Sequence, residues 1–113
     1  MTLTLVPGQL TLAQLRSLCS PTPPQVAIDP SCREGIRASA ALVKKATEGD
    51  AAVYGVNTGF GKLAMKRIAR EDLATLQLKL LRSHAVGVGE PMSERVVRLI
   101  LVLKATSLAR GYS

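Results

Sequence analysis

The chain has 113 residues, with 15 Lys plus Arg against 8 Asp plus Glu and a net charge of +7, a length that holds one domain. Apolar residues at 47% and charged ones at 20% make a globular composition and exclude a disordered one. Aromatics at 3% and no Trp argue against an aromatic platform for RNA or a sandwich core, so the interior has to be Leu, Val, Ile and Ala, which suits packed helices.

The first ten residues, MTLTLVPGQL, lack a basic n-region and meet Pro7 early, so they do not read as a signal peptide. Thr11 caps a short predicted helix, with Leu12, Leu15 and Leu18 on one side. Pro21, Pro23 and Pro24 stop it and make an extended connector over 20–25. Asp29-Pro30 opens the next helix, over 30–48, as N-cap and first helical residue. Ile36, Ala40 and Val43 form its stripe, Lys44 and Lys45 suit its negative end, and Gly49 is the expected left-handed cap.

Residues 51–54 read as a brief extended segment leading into a glycine-rich loop. Glu71-Asp72 starts a helix over 71–84, with Leu73, Leu76 and Leu80 on its buried stripe and Leu81 widening it. Gly87, Gly89 and Pro91 break the chain, and Ser93 caps a last helix over 93–110. Val96, Val97, Ile100, Leu101, Leu103 and Leu108 cover much of that helix, which therefore expects partners on more than one side. An apolar helix running almost to residue 113 reads as part of a larger protein.

Several chemistries are excluded or disfavoured. Cys19, Cys32 and the single His84 cannot assemble four zinc ligands within one chain, and no metal site is expected. Two isolated cysteines point to a reducing compartment, and no uncharged apolar run reaches the roughly 18 residues of a membrane helix, so a cytoplasmic protein is expected. Residues 60–113 carry 10 basic and 4 acidic groups, against 5 and 4 in residues 1–59. A stand-alone basic binding module for nucleic acid stays open as an alternative, although the charges are dispersed and no reader motif is present.

Two stretches carry chemistry. Tyr54-Gly-Val-Asn-Thr-Gly-Phe-Gly61 packs two of the three aromatics and three of the nine glycines into eight residues. Glycine lets backbone approach a ligand closely, and the preceding Tyr either points a phenol into a cleft or plugs the core. A P-loop ending at Gly61-Lys62 is excluded, since Val56 and Leu63 stand where Gly and Ser or Thr are required. In Ser83-His-Ala-Val-Gly-Val-Gly-Glu-Pro91, Gly87 and Gly89 make half a dinucleotide fingerprint, with Met92 in the third glycine's place. Adjacent side chains diverge, so Ser83 and His84 do not make a hydrolytic pair. His84 on its own reads either as a helix cap or as a binding group.

Taken together, YGVNTGFG, QLKLLRSHAVGVGEP and LKATSLARGYS closely resemble the aromatic amino acid ammonia-lyases, most of all their histidine-specific branch, over residues 3–113. The resemblance implies the N-terminal domain of an all-α ammonia-lyase of the fumarase/aspartase-like superfamily. The helix bundle carrying the electrophile would lie beyond residue 113. It implies non-oxidative deamination of L-histidine to trans-urocanate and ammonia in histidine degradation, by a cytoplasmic homotetramer with shared active sites. Another aromatic amino acid stays open as the substrate.

By the same resemblance Tyr54 is the catalytic base for the substrate's β-proton. Gly55, Thr58, Gly59 and Phe60 belong to a mobile lid, Gly61 and Asn57 lie beside the substrate, and Ser83-His84 are the selectivity pair. The implied electrophile is methylidene-imidazolone (MIO), formed from an Ala-Ser-Gly triplet. This sequence has Ala38-Ser39-Ala40 and no such triplet, so the 113 residues alone are expected to be inactive. A phenolate suits the task, because the β-proton of histidine is weakly acidic. Phenolates are scarce at neutral pH unless nearby positive charge or donors favour them.

Overall fold

The computed structural model describes residues 1–112. The described residues are mainly helical, with four α-helices among them, as the aliphatic composition predicts. The chain divides into two compact units, residues 1–39 with 90–113 and residues 40–89.

The first unit contains two short strands, β1 (Thr2–Leu5) and β2 (Gln25–Ile28), paired in parallel with Thr2 opposite Gln25 and Leu5 opposite Ile28. Between them lies α1 (Leu12–Leu18). Thr11 and Gln14 form a reciprocal capping box: the Thr11 hydroxyl accepts from the Gln14 N–H at 3.2 Å, and Gln14 Oε1 accepts from the Thr11 N–H at 2.8 Å. The proline connector returns the chain directly into β2.

α2 (Cys32–Glu48) follows. The helix starts two residues later than Asp29-Pro30 predicts: Pro30 and Ser31 form a turn before it, in which Asp29 Oδ1 accepts from the Ser31 N–H at 2.8 Å. The Ser31 hydroxyl, together with that backbone bond, holds the Asp29 carboxyl below its ordinary value. α2 runs from the first unit into the second, whereas the last helix, α4 (Glu94–Leu108), lies in the first. Leu5, Leu18 and Val102 form the core, flanked by Leu3, Leu10, Leu15, Ile28 and Leu99. Arg98 Nη1 donates to the Leu18 carbonyl at 2.9 Å, which satisfies an acceptor at the end of α1.

α4 turns none of its six expected apolar positions to the core of its own unit. Val96, Val97, Ile100, Leu101, Leu103 and Leu108 are all exposed, and the inward line is Leu99, Val102, Thr106 and Ala109. Those four recur at spacings of three and four, a helical stripe in which only Leu and Val announce themselves by type. Thr106 is tolerated there because its hydroxyl donates to the carbonyls of Val102 and Leu103 at 2.9 and 3.0 Å.

Other local expectations also change. Leu12 points outward, and Ile36 and Val43 on α2 are exposed. Ser93 stands at the start of α4 without a side-chain cap; its backbone carbonyl accepts from the N–H groups of Val96 and Val97. Gly49 ends α2 without entering the left-handed region, its N–H still bonded to the Lys45 carbonyl. Residues 51–54 form no strand, because Val53 begins a tight turn instead.

In the second unit α3 (Leu73–His84) is preceded by a 3-10 turn over Arg70–Asp72. Leu73, Leu76 and Leu80 are its half-buried stripe, as the spacing predicts, whereas Leu81 is exposed. Both cysteines are free. Among the described residues no cluster could hold a metal ion, and no helix is long and apolar enough to cross a membrane.

Candidate active site

The glycine-rich loop is built around two buried polar residues. Asn57 is 1% exposed and Thr58 0%. Buried amides persist where their hydrogen bonds are made, and Asn57 makes three. Its Oδ1 accepts from the Val53 N–H at 2.7 Å, and its Nδ2 donates to the carbonyls of Ala51 and Ala46 at 2.9 and 3.2 Å. The backbone joins in: the Asn57 N–H donates to the Val53 carbonyl, and the Asn57 carbonyl accepts from the Ile68 N–H. Thr58 bridges to Arg67 in antiparallel fashion, and Gly59 donates to the Lys66 carbonyl. A loop whose glycines suggest free movement is thus anchored at its centre. Asn57, expected beside the substrate, spends both amide protons on the protein's own carbonyls.

Arg67 reinforces the region. Its Nη2 donates to the Gly49 carbonyl at 2.6 Å and its Nη1 pairs with Asp50 at 3.0 Å, while Arg70 pairs with Glu48 at 3.2 Å. These pairs are solvent-screened, and their main effect is to bind the end of α2 to the segment after the loop.

Tyr54 lies outside this buried centre. It is 63% exposed, and its ring meets Phe60 edge-on at a centroid distance of 5.7 Å. The core-plug reading of Tyr54 therefore fails, and the phenol is free to meet another molecule. Gly55 and Gly61 take φ of +75° and +56°, the left-handed region open to glycine at no steric cost. Between them Phe60 precedes a 3-10 turn over Gly61–Leu63.

The loop touches α3 through a residue that the sequence motifs did not single out. Gln77 Nε2 donates to the Gly55 carbonyl at 3.4 Å. Gln77 and His84 are seven residues apart, so they share a face of α3, about 10 Å apart along its axis. An exposed helical Gln gives no signal of such a role in sequence.

His84 ends α3. Its Nδ1 is 2.9 Å from the Leu80 carbonyl oxygen and 3.1 Å from Ser83 Oγ, and Ser83 Oγ donates to the same carbonyl at 2.8 Å. A carbonyl only accepts, so Nδ1 carries the hydrogen. In the neutral ring Nε2 is then a bare acceptor. The chain leaves the helix through Ala85 at φ −76° and ψ 63°, with Val86 N–H bonded to the His84 carbonyl, an inverse γ-turn. Both expectations for His84 are compatible: one nitrogen caps the helix end and the other remains available. Ser83 spends its hydroxyl proton on the cap.

The described residues form a mainly helical frame that carries an exposed phenol on an anchored glycine loop. Two solved structures share the fold: a tyrosine aminomutase mutant with bound ligand at a TM-score of 0.87 and 23% identity, and tyrosine aminomutase from Streptomyces globisporus at 0.86 and 24%. Each match covers 98% of this chain and 21% of the other, and at that identity the likeness concerns the fold alone.

The chain belongs to the aromatic amino acid lyase family, whose model matches residues 10–113. It is similar to histidine ammonia-lyase of Roseobacter denitrificans, at 56% identity over 113 residues, all of this chain. The enzymes of the same name from Pseudomonas fluorescens and Salmonella typhimurium are 51% and 52% identical over 98% and 99% of it. The chain spans 22% of the length of these curated relatives.

Proposed function

We propose that these residues form the N-terminal segment of a histidine ammonia-lyase converting L-histidine to trans-urocanate and ammonia. The observation that carries this reading is Tyr54, a solvent-facing phenol on a backbone clamped beneath it. The names of the similar enzymes support histidine over other aromatic substrates.

In this reading the Tyr54 phenolate takes the substrate's β-proton. The released pair forms the Cα–Cβ double bond as the Cα–N bond breaks and the amine departs. A phenolate reaching the substrate from a loop that excludes water supplies base and geometry together. His84 Nε2 accepts from a ring N–H of the substrate, and Gly61 leaves room for its approach. An apolar substrate would leave Nε2 unpaired, which is the physical basis of discrimination.

The family's electrophile, MIO, would activate the amine as a leaving group. Ala38-Ser39-Ala40 is not its Ala-Ser-Gly precursor, and no such triplet occurs in these 113 residues, so they do not generate the group themselves and are inactive alone. We place the full-length enzyme in the cytoplasm as a homotetramer, an assembly that would cover the exposed apolar residues of α4.

Replacing Tyr54 by Phe in a full-length lyase carrying this segment tests the proposal. The ring and its contact with Phe60 remain, and only the phenol oxygen is lost. Urocanate formation is expected to fall by roughly 10² to 10⁴, the usual loss for a removed general base. Near-unchanged turnover would return Tyr54 to a packing role.

A further inference from the structure

We infer that Asn57 is a positioning residue for Tyr54, acting through the backbone and not through contact with substrate. The inference rests on the reading of Tyr54 as the base. Tyr54 is exposed and, among the described residues, its aromatic contact is with Phe60, so its direction is set largely by its own main chain. It is followed by Gly55 at positive φ, a backbone with little stiffness of its own. The residue before it, Val53, is held on both polar groups by Asn57. The Val53 N–H donates to Asn57 Oδ1 at 2.7 Å, and the Val53 carbonyl accepts from the Asn57 N–H at 3.1 Å. These two bonds close a ring over Tyr54, Gly55 and Val56.

The other end of the same amide refers that ring to a fixed element. Asn57 Nδ2 donates to the carbonyl of Ala46, in the last turns of α2, and to that of Ala51. One buried side chain thus connects the α2 end, the linker after it and the turn that presents the phenol. Its donors are both used and it is 1% exposed, so no part of Nδ2 remains to meet a substrate. A shift of about 1 Å in a reacting group costs on the order of 10² in rate, so a clamp at this position matters to catalysis without touching the reaction.

The test is a double-mutant cycle in a full-length lyase carrying this segment. Asn57→Ala is measured in the wild-type and in the Tyr54→Phe backgrounds, with kcat and KM taken separately. With Tyr54 present, kcat is expected to fall by about 10² with KM little changed. In the Tyr54→Phe background the same substitution is expected to change kcat by no more than about twofold, because the group it positions is already gone.

Equal losses in both backgrounds would overturn the positioning role and leave Asn57 a general stabiliser. A raised KM with unchanged kcat would make it a substrate contact instead and overturn the inference equally. Should Asn57→Ala not accumulate as folded enzyme, Asn57→Asp takes its place in the cycle. It keeps the acceptor for Val53 and turns an oxygen toward two carbonyls. Hydrogen exchange in the unsubstituted enzyme gives an independent reading: the Val53 amide is expected to be as protected as those in the last turn of α2, and free exchange there refutes the clamp. A Tyr54→Phe enzyme with full kcat refutes the base reading by itself, so the two failures are distinguishable.

Discussion

A single methyl group added at Gly59 tests whether the loop's shape is set by packing or by glycine's backbone freedom. Gly59 is buried and its φ is not in the left-handed region, so alanine incurs no conformational penalty there. The added Cβ, however, would lie 2.5 Å from the Leu63 Cβ and 3.0 Å from the Leu63 carbonyl oxygen. Ordinary carbon contacts are about 3.5–4.0 Å, so the overlap is about 1 Å. No rotamer change relieves it, because both Leu63 atoms belong to the backbone or are bonded directly to it.

Leu63 is itself tied, its N–H to the Phe60 carbonyl at 3.0 Å and its carbonyl to the Lys66 N–H at 2.9 Å. Relief must move the turn over 61–63 or break the Gly59 bond to Lys66. Overpacking of this kind costs about 1–3 kcal/mol, and the overlap places Gly59→Ala in the upper half of that range. Gly61→Ala is the control. Its Cβ meets nothing within 4 Å, but its φ is +56°, so it carries only the left-handed penalty of about 1 kcal/mol. Denaturant unfolding of both variants gives the comparison, with turnover of a full-length lyase carrying this segment as the second readout. The reasoning fails if Gly59→Ala is no more destabilising than Gly61→Ala.

His84→Leu removes both the Leu80 cap and the free Nε2, so the thermal midpoint and the histidine-to-phenylalanine ratio of kcat/KM should both fall, the ratio by about tenfold or more. An unchanged ratio with a lower midpoint would confine His84 to the cap. Since His84 is the only histidine here, nitrogen NMR of this chain reports its tautomer directly, and a hydrogen on Nε2 in the neutral ring would contradict the assignment. Leu18→Ala empties a fully buried position and should cost about 2–5 kcal/mol, whereas Leu12→Ala, on the exposed side of the same helix, should stay within about 0.5 kcal/mol. Comparable losses at both positions would deny the core its observed place. The carboxyl of Asp29 is lowered in the folded state, so its contribution is present above the ordinary value of 3.8 and is lost as pH falls through the lower folded value. Asp29→Asn should remove that acid-side decline, measured as unfolding midpoint against pH, and an unchanged slope would remove Asp29 from the account.

Much of the frame is local and therefore legible in residue order. Thr11 specifies where a helix starts, and Leu73-Leu76-Leu80 which side turns in, because capping and periodicity act within one or two turns. The motif from Tyr54 to Gly61 likewise carried the family, since so dense a set of glycines and aromatics is rare by chance.

What residue order could not show depends on segments far apart in the chain. β1 and β2 have four residues each, too short for a periodic signal, and they exist because each supplies the other's hydrogen bonds across twenty-three residues. The inward stripe of α4 includes Thr106 and Ala109, which only the packing of Leu5 and Leu18 against Val102 selects over the greasier faces. Asn57 looks in sequence like one more polar loop residue able to meet a substrate. Its burial, and with it the clamp beneath Tyr54, arises only when the chain brings Ala46, Ala51 and Val53 around one amide, because a buried donor is stable only where acceptors already wait.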